Sequence, residues 1–341
     1  MLFFENDYCA GAHPRLIERL TRCNLLKQPG YGTDESSEEA RAKIRAACSL
    51  DDTAEIYLLC GGTQTNKLVI DSLLHKVQGV VAVRTGHVSL HEAGAVESSG
   101  HKVLEIDGTD GKMSALTLKN FLKNFAADEN GPHMVQPGAV YISQPTEYGA
   151  LYKKNELLAI RSVCAEFHLK LYVDGARLSY ALGSTYNDVS LKDLAQIADV
   201  FYIGGTKCGA LFGEAVVFPH GAPGFFFTLM KQHGALMAKG FVTGEMFSEL
   251  FTDDLYLNIG TEACRLARKL SQGLEYKGVE LYMPIYTNQI FVVLKNSVYE
   301  SIKSQALFSF WEPADDEHTV YRIAVSWATT EAEVDALLEL F

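Results

Sequence analysis

The sequence predicts an α/β protein: a mostly parallel central sheet covered by helices, followed by a smaller α+β unit at the carboxy-terminal end. Three observations carry this. Strand-length apolar runs alternate with helical patterns through the first two-thirds of the chain, the arrangement of a sheet covered on both faces. From about Leu229 the alternation gives way to long helical segments and then strands. At 341 residues the chain can bury a sizeable core as one large domain or two. The expected division is a large unit over residues 1–245 and a small one over 246–341.

The elements follow in order. Leu16, Ile17 and Leu20 share a face between Pro14 and Cys23, which predicts a helix. Pro29-Gly-Tyr-Gly-Thr33 is a loop, and Ser36 to Ala47 a second helix opened by Ser-Ser-Glu-Glu. Ala54 to Cys60 reads as a buried strand broken at Gly61-Gly62, with a helix opening at Thr63. Then strands at Val80–Val83, Lys102–Ile106 and Val140–Ser143 alternate with helices at His87–Ser98, Ser114–Phe125 and Lys153–Phe167. Asp128-Glu-Asn-Gly-Pro132 is a polar surface turn. A strand ending at Asp174, a helix near Leu191–Ile197 and a strand leading to Lys207 complete the alternation. The last third reads as a helix over Leu255–Glu275, strands at Glu280–Tyr282, Gln289–Leu294 and Tyr321–Val325, and a helix over Glu331–Leu340.

Composition narrows the function classes. Hydrophobic residues make up 48% and charged residues 21%, as in globular proteins. A formal net charge of -12 argues against nucleic acid or an anionic membrane as partner, since both need positive patches. No apolar run approaches the roughly 20 residues of a membrane span. The start, Met1 to Asp7, lacks a basic region and a long apolar core, so it does not read as a signal peptide. Seven cysteines without CxxC spacing read as reduced thiols of a cytoplasmic protein, with neither a disulfide frame nor a metal site expected.

Two stretches carry chemistry: Leu171-Tyr-Val-Asp-Gly-Ala-Arg-Leu178 and Gly204-Gly-Thr-Lys-Cys-Gly-Ala210. In a parallel sheet both apolar runs deliver their last residues to one edge. That edge would carry the Asp174 carboxylate, the Arg177 guanidinium and the Lys207 amine. Pyridoxal phosphate needs a lysine for its aldehyde and an acid beside its ring nitrogen. Lys207 and Asp174 would meet those needs, and Arg177 would pair with an amino acid's carboxylate. Singly, each residue reads more simply as a turn, loop or surface residue; the three together favour the functional reading. Gly61-Gly-Thr-Gln-Thr-Asn66 offers the start of a helix to a phosphate, though a plain turn capped by Thr63 also fits. The GxGxxG pattern of a dinucleotide fold is absent.

The stretch Tyr172 to Phe218 resembles the threonine aldolase family of fold-type I pyridoxal phosphate enzymes. Asp174-Gly-Ala-Arg-Leu178, Thr206-Lys207 and Gly213-Glu-Ala-Val-Val217 carry the resemblance, which extends from Asn6-Asp-Tyr8 to Ser326-Trp-Ala328. It implies a fold-type I transferase-like fold and pyridoxal 5'-phosphate as cofactor. Gly62 and Thr63 match the residues that hold the phosphate, Thr206 and Lys207 the cofactor-bearing turn, and His87 the ring stacked on the pyridine. Glu92 fits the family pattern on the same helix with no evident task. Arg322 matches a partner of Arg177 on the substrate carboxylate, Asn6 a further polar contact to it, and Tyr31 a residue lining the site. Lys239 matches a basic residue that reaches a neighbouring subunit's phosphate, so a homodimer or homotetramer is implied. Where many members read Glu-Asn-Thr-His, this chain has Ser143-Gln-Pro-Thr-Glu-Tyr-Gly149. Glu147 thus stands in place of a histidine, as candidate general base or as a turn carboxylate. The implied reaction is aldol cleavage of a β-hydroxy-α-amino acid such as L-threonine or L-allo-threonine. The rivals are β-elimination or amino transfer with the same cofactor, a non-catalytic relative, and a nicotinamide enzyme.

Overall fold

In the computed structural model, which describes residues 1–341, a short strand β1 (Leu2–Phe3) leads to helices α1 (Pro14–Cys23) and α2 (Glu35–Cys48). Pro14 sits at the start of α1, where its missing N–H costs no intrahelical bond. Asp34 caps α2 by accepting the Ser37 N–H. The alternation follows: β2 (Glu55–Leu59), α3 (Gly62–Leu73), β3 (Gln78–Val83), α4 (His87–Leu90), β4 (Val103–Ile106), α5 (Ala115–Ala127) and β5 (Gln136–Ser143). It continues through α6 (Lys154–Glu166), β6 (Lys170–Asp174), α7 (Leu178–Gly183), α8 (Leu191–Ile197), β7 (Val200–Gly204) and β8 (Glu214–Phe218). Helices α9 (Phe226–Gln232), α10 (Phe241–Leu250) and α11 (Leu255–Tyr276) come next. The chain ends with β9 (Glu280–Leu281), β10 (Gln289–Lys295), α12 (Asn296–Ile302), β11 (Ala306–Leu307), β12 (Ser309–Pro313), β13 (His318–Ala324) and α13 (Glu331–Leu338).

The main sheet has seven strands in the order β2-β8-β7-β6-β5-β3-β4. β8 runs antiparallel to both its neighbours; the other pairs are parallel. Both faces are buried, and the pleat sorts alternate residues between them. Val81, Val140, Ile142, Leu171, Val173 and Ile203 face the larger core. Val80, Ala139, Tyr141, Tyr172, Val200 and Tyr202 face the smaller one. This two-sided burial is why the strands read as continuous apolar runs. A second, antiparallel sheet has the order β12-β13-β10-β9, and β1 pairs with β11.

Three differences from the sequence reading have physical causes. The helix expected over His87–Ser98 is a single turn, α4, because Ala93 and Gly94 take left-handed φ of 51° and 70° and break the ladder. The expected division after residue 245 falls inside α10, which lies on α1 and α2 of the large unit. The amino-terminal strand also pairs with β11 near the other end of the chain, so the two units share their ends.

Candidate active site

The carboxyl ends of β2, β3, β5, β6 and β7 open onto a cleft of about 730 Å³, whose opposite wall comes from β12 and β13. Two glycines bring the strand ends together. A Cβ on Gly175 would lie 1.9 Å from the Tyr202 carbonyl oxygen, and one on Gly204 would lie 2.3 Å from that of Ala176. No other residue permits that approach, which places Asp174 and Lys207 in the same cleft.

Asp174 is 4% exposed. Its Oδ2 accepts the Tyr141 hydroxyl at 2.6 Å and Asn66 Nδ2 at 3.0 Å, and its Oδ1 accepts the Ala176 N–H at 2.9 Å. Burial favours the neutral acid, but the His87 ring and these hydrogen bonds outweigh it and hold the carboxyl below its ordinary value. Oδ1 keeps a free lone pair for a further donor. Asn66 is tied on both sides of its amide: Nδ2 also donates to Glu92 Oε1 at 2.7 Å, and Oδ1 accepts the Tyr172 hydroxyl at 2.7 Å. Glu92, whose task the sequence left open, holds His87 Nδ1 at 2.7 Å. The Asp174 carboxylate and the His87 ring are therefore fixed by one buried network.

Lys207 lines the cleft and its amine makes no hydrogen bond. Burial, then the Arg177 guanidinium, pushes that amine below its ordinary value, which favours the nucleophilic form. Its backbone is anchored: the Tyr180 hydroxyl donates to the Lys207 carbonyl at 2.6 Å and the Tyr256 hydroxyl to the Gly204 carbonyl at 2.9 Å. Thr206 is held by Glu214, which accepts its hydroxyl at 2.8 Å and the Gly205 N–H at 3.1 Å. Burial pushes the Glu214 carboxyl up to about 8 against those two bonds.

That elevation has a consequence for stability. The group binds its proton more tightly folded than unfolded, so its contribution is full below about pH 4.5 and is lost as pH rises toward about 8. We expect the cofactor-free protein to lose a few kcal/mol across that window. Glu214→Gln should flatten the decline, as read from urea midpoints at several pH values. An unchanged slope in the variant would exclude Glu214 as its source.

Gly62 and Thr63 open α3, whose cap residue Gly61 provides no side-chain bond. The first N–H groups of the helix therefore point into the cleft end without intrahelical partners. The buried Thr65 hydroxyl is unpartnered. The donor set thus fits pyridoxal phosphate: free N–H groups and hydroxyls for the phosphate, an ionised acid with a spare lone pair, a neighbouring imidazole and an unbound amine.

Arg177 is gripped from both sides of its fork by Asp7, Nε to Oδ2 at 2.6 Å and Nη2 to Oδ1 at 2.9 Å. Asn288 Nδ2 also donates to Asp7 Oδ2 at 3.0 Å. Burial would raise the Asp7 carboxyl, but the Arg177 charge prevails and holds it at about 2. Arg322 donates to Gln289 Oε1 and to the Glu5 carbonyl, and its buried Nε has no acceptor. Burial and the nearby Arg177 lower it to about 10. Arg177 Nη1, the end of its fork that Asp7 does not hold, and Arg322 Nε both lack an acceptor, so the two guanidiniums form a site for a carboxylate.

Three expected residues lie elsewhere. Asn6 is not among the residues lining the cleft; its Oδ1 accepts the Tyr8 N–H at 3.0 Å, and its neighbour Asp7 meets Arg177 instead. Tyr31 lines a separate groove, where the Lys231 amine sits 4.7 Å from its ring centroid. Lys239 is exposed beside that groove. Glu147 does line the cleft. Its Oε1 accepts the Ser143 hydroxyl at 2.7 Å and the His87 N–H at 2.9 Å, and burial raises its carboxyl above the ordinary value. Asp7, Asn66, Tyr141 and His91 were given no role from sequence. Asp7, Asn66 and Glu214 stand inside motifs the sequence offers, and nothing in composition or spacing marks Tyr141 or His91.

The sequence model of the beta-eliminating lyase family matches residues 10–301. The chain is similar to the low specificity L-threonine aldolase of a Pseudomonas species, 30% identical over 342 residues that cover 98% of this chain and 95% of the relative. It superposes on the threonine aldolase of Leishmania major with a TM-score of 0.96 at 38% identity, covering 100% of this chain and 98% of that one. The aspartate aminotransferase of Thermus thermophilus, at a TM-score of 0.74 and 16% identity, shares the fold. The matched fold and the nearly full-length similarity together make this chain a member of the beta-eliminating lyase family, alongside the low-specificity L-threonine aldolases.

Proposed function

We propose that this chain is a pyridoxal phosphate-dependent lyase that cleaves β-hydroxy-α-amino acids, with L-threonine and L-allo-threonine giving glycine and acetaldehyde. The observation that carries this reading is the meeting of Asp174 and Lys207 at adjacent strand ends, beside two arginines that leave a carboxylate site open. Bound there, pyridoxal phosphate supplies an aldehyde that captures an amine and a cationic ring that takes up electrons from Cα.

The protein's own residues do the rest. The α3 N–H groups with Gly62 and Thr63 hold the phosphate. Asp174 would hold a proton at the ring nitrogen, and His87, fixed by Glu92, would lie against the ring. Lys207, its amine shifted toward the neutral form, is the nucleophile. Arg177 and Arg322 fix the carboxylate and so orient the Cα–Cβ bond, a contribution of positioning and electrostatics. Lys239 and Tyr31 serve the cleft of a neighbouring copy in a homodimer or homotetramer, which is why both sit outside it in one chain. No helix is long and apolar enough to cross a membrane. The seven free cysteines support a cytoplasmic setting.

The test is incubation with L-threonine and L-allo-threonine. Glycine and acetaldehyde are expected. Pyruvate with ammonia would instead identify β-elimination, and no turnover by the cofactor-loaded protein would identify a non-catalytic relative.

A further inference from the structure

Cleavage requires a base for the β-hydroxyl proton, and the expected Glu147 is engaged elsewhere. Its Oε1 already accepts two hydrogen bonds, one of them from the first N–H of α4. Its Oε2 is out of contact with solvent and has no partner. The carboxyl is built into the junction between β5 and α4, with one oxygen doubly bonded and the other shielded.

His91 follows α4, with its N–H donating to the His87 carbonyl at 2.9 Å, so the two imidazoles stand four residues apart on one face. Their ring centroids are 5.7 Å apart. The His91 ring lines the cleft and makes no hydrogen bond, whereas His87 Nδ1 is tied to Glu92. Lys207 after β7, Arg177 after β6 and Arg322 on β13 line the same cleft, as do the carboxyls of Glu147 after β5 and Glu312 on β12. We propose that His91 is the catalytic residue that takes the β-hydroxyl proton, and that Glu147 is a positioning residue that holds the turn carrying both histidines.

The inference rests on the aldol reading above. In the step, the hydroxyl proton passes to an unprotonated ring nitrogen of His91. The Cβ–O bond becomes the carbonyl of the departing aldehyde. The Cα–Cβ bond breaks, and its electron pair stays with the glycine fragment. The imidazolium then releases its proton to solvent, and the glycine fragment takes up a proton at Cα to complete glycine. Electrostatics support the role: partial burial, followed by the charges of His87, Arg322, Lys207 and Arg177, holds the ring below its ordinary value. It is therefore largely unprotonated near neutral pH, as a base should be.

The test compares holoenzymes of wild type, His91→Asn and Glu147→Gln. Aldehyde release from both threonines is measured across pH, together with exchange of the glycine α-proton in heavy water, which needs no β-hydroxyl. Cofactor affinity is followed by quenching of protein fluorescence. His91→Asn should lose about a hundredfold or more in kcat for cleavage. It should keep glycine exchange within about threefold, bind the cofactor as wild type does, and lose the acid limb of the cleavage profile. Glu147→Gln should keep that limb and slow both reactions alike. The assignment is overturned if His91→Asn cleaves within about threefold of wild type, if it loses both reactions equally, or if Glu147→Gln is the variant that loses the acid limb. A wild type that exchanges glycine but releases no aldehyde overturns both the reaction and this role.

Discussion

Replacing Lys207 by alanine should reduce cleavage of L-threonine by about a thousandfold or more, with no loss of thermal stability. Lys207 is the one lysine among the residues lining the cleft, so no second amine is at hand to replace it. Structurally the side chain is dispensable. Its amine has no partner, and the contacts that hold the turn, from Tyr180 and Tyr256, go to backbone carbonyls that alanine retains. Burial already disfavours the charged amine, so its removal should leave stability unchanged or slightly raised. Borohydride reduction should fix the cofactor covalently to wild type and leave the variant's mass unshifted. A Lys207→Ala protein that turns over normally and still captures the cofactor covalently would refute the role.

The part of this site legible from sequence is the part written in strand ends. The runs ending at Asp174 and Gly204 are apolar throughout because the sheet is covered on both sides, and parallel pairing then fixes where their next residues go. Side-chain direction in irregular segments is another matter. Asn6 and Asp7 are adjacent and both polar, yet only Asp7 meets Arg177. The segment lies beyond the end of β1, where no period assigns a face. Likewise, helical periodicity ran on from His87 to Ser98 because it cannot register the positive φ of Ala93 and Gly94. That break leaves His91 at the end of a single turn beside the cleft. For Glu147 the residue type was plain, but its engagement depends on Ser143 and on the start of α4, which meet it only in the folded chain. Tyr31 and Lys239 show a further limit, since both lie on or beside a groove separate from the cleft, and nothing in residue type or spacing marks that separation.

The largest effect on stability should come from Arg177→Leu. Asp7 is fully buried, and Arg177 grips both its oxygens. Removing the guanidinium leaves a desolvated carboxylate with only the Asn288 amide. Breaking one side of a buried pair in this way costs about 3–5 kcal/mol. The pair itself is worth less than that, because both ions gave up hydration to form it. Asp7→Asn combined with Arg177→Leu should therefore recover most of the loss. The pH dependence separates this account from a general packing defect. In wild type the Asp7 carboxyl lies at about 2 against an ordinary 3.8. Its contribution is present above about pH 4 and is lost as pH falls toward about 2. In Arg177→Leu the same carboxyl, buried without its cation, titrates above its ordinary value, so its contribution runs the other way and fades as pH rises. The gap between the two proteins in urea unfolding should be widest near neutrality and narrow steadily in acid. A gap that stays constant with pH, or a double variant no more stable than Arg177→Leu alone, would show that the loss comes from packing around the side chain and not from the stranded charge.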